Sequence, residues 1–360
     1  MKTMIDLYSD YLLSSTGQTT AEGMSELLSG VITHDKITQF LKKQDLGSKE
    51  LWLMTKSLVR QHESEEGCLV FDDTIVEKAY MGENDLICWH YDHSKKRNIK
   101  GINMLTGFYV SSKDATSEPL RIPIGYALIL KTILYFDEKT KKNKRKSETT
   151  KNDLMLDLLD QAISNQLKFK YVLADSWFAS AKNMRHIHQK KKTFIFDLPI
   201  NRKGARTDAD RNNGQWTRID ELDLATDTPT KVWLKDLEIP LLLCKQVFTN
   251  KDKSLGVRYL VSNDLNLSKE QFATIYKKRW GVEEYHKSIK QNACVAKCPA
   301  RSISSQSNHL FLSLWAYVKL EKLKFANALN HFALKSKLYH VALKAAFKEL
   351  RFLNSKIQVA

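Results

Sequence analysis

Three acidic side chains and three phosphate-suited ones stand out in this 360-residue chain. The stretch Ile275 to Lys290, IYKKRWGVEEYHKSIK, contains no Pro and only one Gly, Gly281, and its pattern predicts a single helix. At about 100° per residue, Tyr276, Arg279, Glu283 and Lys290 fall within an arc of roughly 60°. Ile275, Val282, Tyr285 and Ile289 fall on a neighbouring arc that can face a core. Upstream, two short apolar runs end in aspartate: CLVF before Asp72-Asp73-Thr74, and YVLA before Asp175-Ser176. Asp72 and Asp73 point to opposite faces of a strand, so they are alternatives for one role. Carboxylates on neighbouring rigid elements are hard oxygen ligands suited to Mg²⁺. Two such cations about 3.5–4 Å apart activate the nucleophile and stabilise the leaving oxygen in phosphodiester cleavage. Arg279 and Lys290 suit phosphates, and Tyr276 can contact a backbone or stack. The competing reading is a solvated helix face and aspartates that merely cap turns, which composition alone favours.

The spacing of Tyr276, Arg279, Glu283 and Lys290 resembles the signature of DDE transposases of the insertion-sequence-four family. The resemblance spans residues 68 to 325. It implies an RNase H-like catalytic domain that cleaves and joins transposon ends in a cut-and-paste reaction. It implies Asp73, Asp175 and Glu283 as catalytic residues and ligands of Mg²⁺, with Mn²⁺ substituting. Asp73 is preferred to Asp72 because the family's catalytic aspartate directly precedes a Thr, here Thr74. Tyr276, Arg279 and Lys290 would then position the DNA end, including a hairpin intermediate. In that family a Trp of an insertion stacks on a flipped base, and Trp233 and Trp216 are the candidates here, against ordinary packing roles. The implied partners are double-stranded DNA, as terminal repeats and target, and a second copy in a synaptic homodimer. The rival readings are an RNase H-like nuclease that cuts without joining and a DNA-binding protein without catalysis.

The remaining pattern supplies elements to hold these residues. Strands are expected at 68–71, 101–110, 122–130, 171–174 and 193–198, with helices at 149–165 and 178–189. That order, three strands and then helix, strand, helix, strand, is the order of an RNase H-like α/β fold: a mixed sheet flanked by helices. Residues 1–64 read as an N-terminal helical domain, compatible with helix-turn-helix DNA binding or with any small helical bundle. Residues 65–200 read as the first part of the core and 201–264 as a β-rich insertion. Residues 265–330 read as the second part of the core with the signature helix, and 331–360 as a C-terminal helix. The basic run Lys139 to Lys146 is expected as a mobile surface loop, with DNA contact as a second role. His90 and His93 are expected in a polar loop, and Lys78 where a phosphate contact is possible.

With 57 Lys and Arg against 41 Asp and Glu, the net charge of +16 favours a polyanionic partner. Five scattered cysteines form no disulfide framework and point to a reducing compartment. Cys294 and Cys298 could sit one helical turn apart, but nothing completes a zinc site with them. The N-terminal stretch lacks the apolar run of a signal peptide, and no segment is long and apolar enough to span a membrane. A soluble cytoplasmic protein is expected, nucleoid-associated in a bacterium. If about 6–10 phosphates are neutralised on binding, affinity for duplex DNA should fall on the order of 10³–10⁵-fold between 50 and 200 mM salt. Anisotropy titrations across that range test this, and a flat response would remove nucleic acid as the main partner.

Overall fold

The computed structural model describes residues 2–93, 95–111, 118–250 and 252–357. Four helices open the chain: α1 (Lys2–Ser14), α2 (Ala21–Leu27), α3 (His34–Lys43) and α4 (Ser48–His62). Strands β1 (Cys68–Glu77), β2 (Cys88–Asp92), β3 (Arg97–Val110) and β4 (Arg121–Leu128) follow, then a ribbon of β5 (Ile133–Asp137) and β6 (Lys142–Lys146). Next come α5 (Lys151–Ser164), β7 (Tyr171–Ala174), α6 (Ala181–Gln189) and β8 (Thr193–Asp197). The inserted region holds β9 (Lys203–Ala205), α7 (Asp208–Asn212), β10 (Thr217–Arg218), β11 (Thr230–Leu234), β12 (Leu241–Thr249) and β13 (Leu255–Ser262). Four helices close the chain: α8 (Lys269–Lys277), α9 (Trp280–Gln291), α10 (Ile303–Asn327) and α11 (His331–Ile357). Among the described residues no helix is long and apolar enough to cross a membrane.

The expected mixed α/β architecture is present. Eleven strands form one sheet in the order β10-β9-β11-β12-β13-β8-β7-β1-β3-β2, with β4 also paired to β3. β1, β7 and β8 are parallel neighbours, and β13 joins β8 antiparallel, so the inserted strands extend the same sheet. The central strands are apolar runs because both faces are covered: Leu69, Val70, Phe71, Val172, Leu173, Phe194 and Ile195 are all buried.

Four local expectations change. β1 does not stop at its aspartates. β7 ends at Ala174, but β1 continues to Glu77 along β3, so Asp72 and Asp73 lie in mid-strand where the β7 ladder runs out. The stretch Ile275 to Lys290 is two helices, not one. Between them the amides of Lys278, Arg279, Gly281 and Val282 bond carbonyls three residues back, at 3.0–3.1 Å. This tight turn advances each residue by about 120°. The basic run is a loop only at 139–141: from Lys142 to Lys146 it forms β6, paired along its whole length with Ile133–Asp137, which offers a strand of β-formers as template. His90 is buried in β2, opposite Ile99, rather than in a loop.

The chain forms two compact units. One comprises Met1–Thr55, Ile75–Ile102 and Tyr285–Ala360, and the other Lys56–Thr74 and Asn103–Glu284. In the first, α10 is the central helix, with α1 and α3 packed on it. Polar side chains lock this packing. Asn308 accepts from the Leu46 amide at 3.1 Å and donates to the Leu41 and Gln44 carbonyls at 2.8 and 2.7 Å, satisfying the open end of α3. His309 bridges the Tyr8 hydroxyl and the Cys294 carbonyl at 3.1 and 3.0 Å, and burial drives its pKa down to about 3. The Lys78 ammonium donates to the carbonyls of Ala296 and Cys298, both at 3.0 Å, which replaces the expected phosphate contact. All five cysteines are free and buried.

Gly101 of β3 has no room for a side chain, because a Cβ would collide with the Val76 carbonyl oxygen. Backbone cannot give way as a rotamer can, so Gly101→Ala should lose about 1–3 kcal/mol of stability. Gly281 is the contrast. A Cβ there meets only the Arg121 side chain, at 3.6 Å, and an edge of Phe108, at 3.8 Å, so Gly281→Ala should gain up to about 1 kcal/mol through helix propensity. Urea unfolding of both variants tests the pair, and equal effects would contradict it.

Candidate functional site

The site grows out of strand register. β1 and β7 pair from Cys68↔Tyr171 to Phe71↔Ala174, and β7 and β8 from Tyr171↔Thr193 to Ala174↔Phe196. One residue further along each ladder stand Asp72, Asp175 and Asp197, level on three adjacent parallel strands. Partners in a parallel ladder share a face, so register alone sets three aspartates level at one end of the central strands. Their electrostatics reflect the crowding. Burial, then the charges of Asp175 and Asp73, pushes the Asp72 carboxyl up to about 7. Burial also raises Asp175, with Asp73 adding repulsion, and takes Asp197 to about 6 against the pull of Arg258.

Local bonds fix each group. Asp72 Oδ1 accepts the Asp73 amide at 2.9 Å. Asp73, the next residue, meets Lys151, whose Nζ donates to its Oδ1 at 2.8 Å, and the charges of both act on Asp175. Lys151 is the first residue of α5, whose start is set by a reciprocal capping box between Thr150 and Asp153. Asp175 caps a short turn, accepting the Trp177 amide at 3.0 Å, so a capping role coexists with its place in the cluster. The Lys151 ammonium lies 4.5 Å from the centre of the exposed Trp177 ring.

The α8–α9 turn supplies the cation. Tyr276 is buried, its hydroxyl donates to the Ala174 carbonyl at 3.4 Å, and burial raises its pKa. This pins the end of α8 to the end of β7. The guanidiniums of Arg258 and Arg279 lie 5.1 and 5.6 Å from the Tyr276 ring centre. Arg279, largely covered, acts electrostatically on Asp72, Asp175 and Asp197, and donates to Glu283 Oε1 at 2.7 Å.

Of the residues singled out from sequence, Asp73, Asp175, Tyr276, Arg279 and Glu283 lie in one compact unit, while Lys290 lies in the other, exposed on the last turn of α9. Trp233 is buried beneath Arg211, 3.9 Å from its ring centre, and Trp216 is half-buried, whereas Trp177 and Trp280 are exposed. Asp197 was not singled out from sequence, although its run TFIFD has the same apolar-then-aspartate form as the other two strands. Lys151 and Arg258 carry no comparable signal.

A divalent cation suits part of this donor set. Asp72 and Asp175 are half-buried carboxyl groups on neighbouring strands whose raised pKa values reflect missing positive charge, which fits a hard dication. Glu283 is turned onto Arg279, and among the described residues no three His, Cys, Asp or Glu side chains are gathered as a metal site. Two carboxylates fit the ion as they stand, and Glu283 would join them only on leaving Arg279.

A raised carboxyl favours the protonated fold. Its stabilising contribution is full below the unfolded pKa of about 3.9 and is lost as pH rises through about 7 for Asp72 and about 6 for Asp197. In chelator, wild-type stability should therefore decline between pH 5 and 8, and Asp72→Asn should decline less. Urea midpoints at the two pH values test this, and equal slopes would show that Asp72 does not titrate in the folded core.

Comparison with known families accords with this geometry. A family described as transposase DDE domain matches residues 140–319, half of the chain. A family described as DDE superfamily endonuclease matches residues 1–219. A comparison with curated proteins gives no match. The first match contains Asp175 and the α8–α9 turn, and the second contains Asp72, Asp73 and Asp175. The chain belongs to the DDE superfamily of transposases and endonucleases.

Proposed function

We propose that the chain is a cut-and-paste DNA transposase of the insertion-sequence-four type, which cleaves transposon ends and joins them to target DNA. The observation that carries this reading is the register that sets Asp72 beside Asp175, with Arg279 and Glu283 supplied by the α8–α9 turn. Asp72, Asp175 and Glu283 would hold Mg²⁺, or Mn²⁺ in its stead. The ions supply nucleophile activation and charge neutralisation at the scissile phosphate.

Position before Thr74 favours Asp73 as the first ligand, but the ladder and the ion pair of Asp73 with Lys151 favour Asp72, which would be the first ligand. Lys151 then holds Asp73 and offsets negative charge at Asp175. Arg279 and Glu283 hold each other until a DNA phosphate takes the guanidinium, which frees the carboxylate to join Asp72 and Asp175. Tyr276 acts by fixing Arg279. Lys290 contributes a phosphate contact of its own. Two element ends are synapsed by two copies of the chain, each cutting DNA presented by the assembly.

Glu283→Gln keeps shape and nearly keeps helix propensity while removing the anionic oxygen. Folding and duplex binding should survive, and cleavage should fall by several orders of magnitude. Glu284→Gln is the control: Glu284 pairs with Arg121 at 2.5 Å rather than with Arg279, and most activity should remain. Gel assays of nicking and strand transfer with divalent metal measure both. Full cleavage by Glu283→Gln would remove Glu283 from the reaction. Cleavage by wild type without joined product would leave a nuclease.

A further inference from the structure

The β5–β6 ribbon is not part of the main sheet and has no role in the site described above. Its register pairs Ile133↔Lys146, Leu134↔Arg145, Tyr135↔Lys144, Phe136↔Asn143 and Asp137↔Lys142. Paired residues share a face, so one face carries Leu134, Phe136, Asn143 and Arg145. Leu134 is 62% exposed and Phe136 52% exposed, in a segment otherwise dominated by lysine. Lys139 is exposed in the turn, and Lys142 and Lys146 are exposed on the ribbon's other face, paired with Asp137 and Ile133. An exposed apolar strip bordered by cations does not match a protein core, which would leave the lysines buried. It does match a surface that is anionic at its margins and apolar or polar at its floor.

The root of the ribbon is fixed. Arg145 donates to the Lys131 carbonyl at 3.3 Å, and Thr132 donates to Glu148 at 3.0 Å. Lys146 is only five residues from Lys151, the residue bonded to Asp73, and five residues span at most about 18 Å. DNA seated at the aspartates therefore passes within reach of the ribbon.

We propose that the β5–β6 ribbon is a DNA-holding arm that lies in the major groove of the duplex flanking the cleavage site, which rests on the reading that this chain acts on DNA. Two strands about 4.8 Å apart fit a groove about 12 Å wide. Leu134 and Phe136 meet the groove floor, where thymine methyls offer apolar contact. Lys139 from the turn, and Lys142 and Lys146 from the reverse face by their long flexible stems, reach the flanking phosphates. An acidic protein surface would satisfy the lysines but gives the apolar strip no comparable seat.

The test uses the full chain and a 30-base-pair duplex of mixed sequence, with anisotropy titrations over a range of salt. The triple variant Lys139→Gln, Lys142→Gln, Lys146→Gln should reduce the salt slope by roughly 2–3. The double variant Leu134→Ala, Phe136→Ala should weaken binding on the order of tenfold with the slope unchanged, because no ion is released at those contacts. Thermal melting checks both variants, whose altered side chains lie outside the main core. An unchanged slope in the triple variant overturns the arm, and so does unchanged affinity in the double variant. A shift in sedimentation of the triple variant without any change in DNA binding would make the ribbon a protein contact and also overturns it. Each of these results leaves the transposase reading standing if wild type still cleaves. A wild-type chain that binds no duplex at all sinks both.

Discussion

The site depends on an electrostatically unfavourable arrangement that the backbone imposes. Three parallel strands run level, and the residue after each paired segment on β1, β7 and β8 is an aspartate. Loss of water, and then repulsion between the crowded carboxylates, makes Asp72 and Asp197 hold protons more tightly, near 7 and 6. The repulsion is tolerated because the ladder hydrogen bonds and the apolar runs Leu69–Phe71, Val172–Ala174 and Phe194–Phe196 hold the strand ends in place, whichever residue stands next in each strand. A fold that accepts such strain locally is prepared for a cation, and cation chemistry is what the superfamily's reaction class calls on.

The protein's own cation arrives by a different route. Arg279 sits in a turn of three-residue hydrogen bonds between α8 and α9, not on a continuous helix. Tyr276 ties that turn to the last carbonyl of β7, and Arg258 from β13 lies near the same ring. The inserted strands thus have a structural consequence for the site, since β13 both carries Arg258 and pairs through Leu260 with Asp197. Arg279 is shared between Glu283 and the aspartates. That sharing ties the one carboxylate of the turn and the aspartates of the strand ends to a single guanidinium.

Elsewhere the chain uses buried polar groups as fasteners. Asn308 closes the open end of α3, His309 joins α1 to the segment after α9, and Lys78 gathers two carbonyls around residues 296–298. Each is satisfied, which is what lets polar atoms sit in a core without loosening it. The ribbon shows the opposite arrangement, with apolar side chains left in solvent between cations.

Much of this was written in the sequence. The apolar runs specify buried strands whatever surrounds them, and the order of strands and helices specifies the class of fold. The spacing of Tyr276, Arg279 and Glu283 keeps those three near one another, but that Tyr276 meets Ala174 and Arg279 the aspartates is seen only in the fold. What the sequence left open was pairing. Whether Asp72 or Asp73 faces Asp175 depends on a register between strands a hundred residues apart, and a shift of one residue reverses the answer. Asp197 had the same local form as its neighbours but gained meaning only when β8 was seen beside β7. The break between α8 and α9 came from packing, since Tyr276 and Val282 must both be buried and a straight helix does not serve both. Local residue types fixed which elements form; only the tertiary structure decided which faces meet, because register and packing are set by contacts distant in sequence.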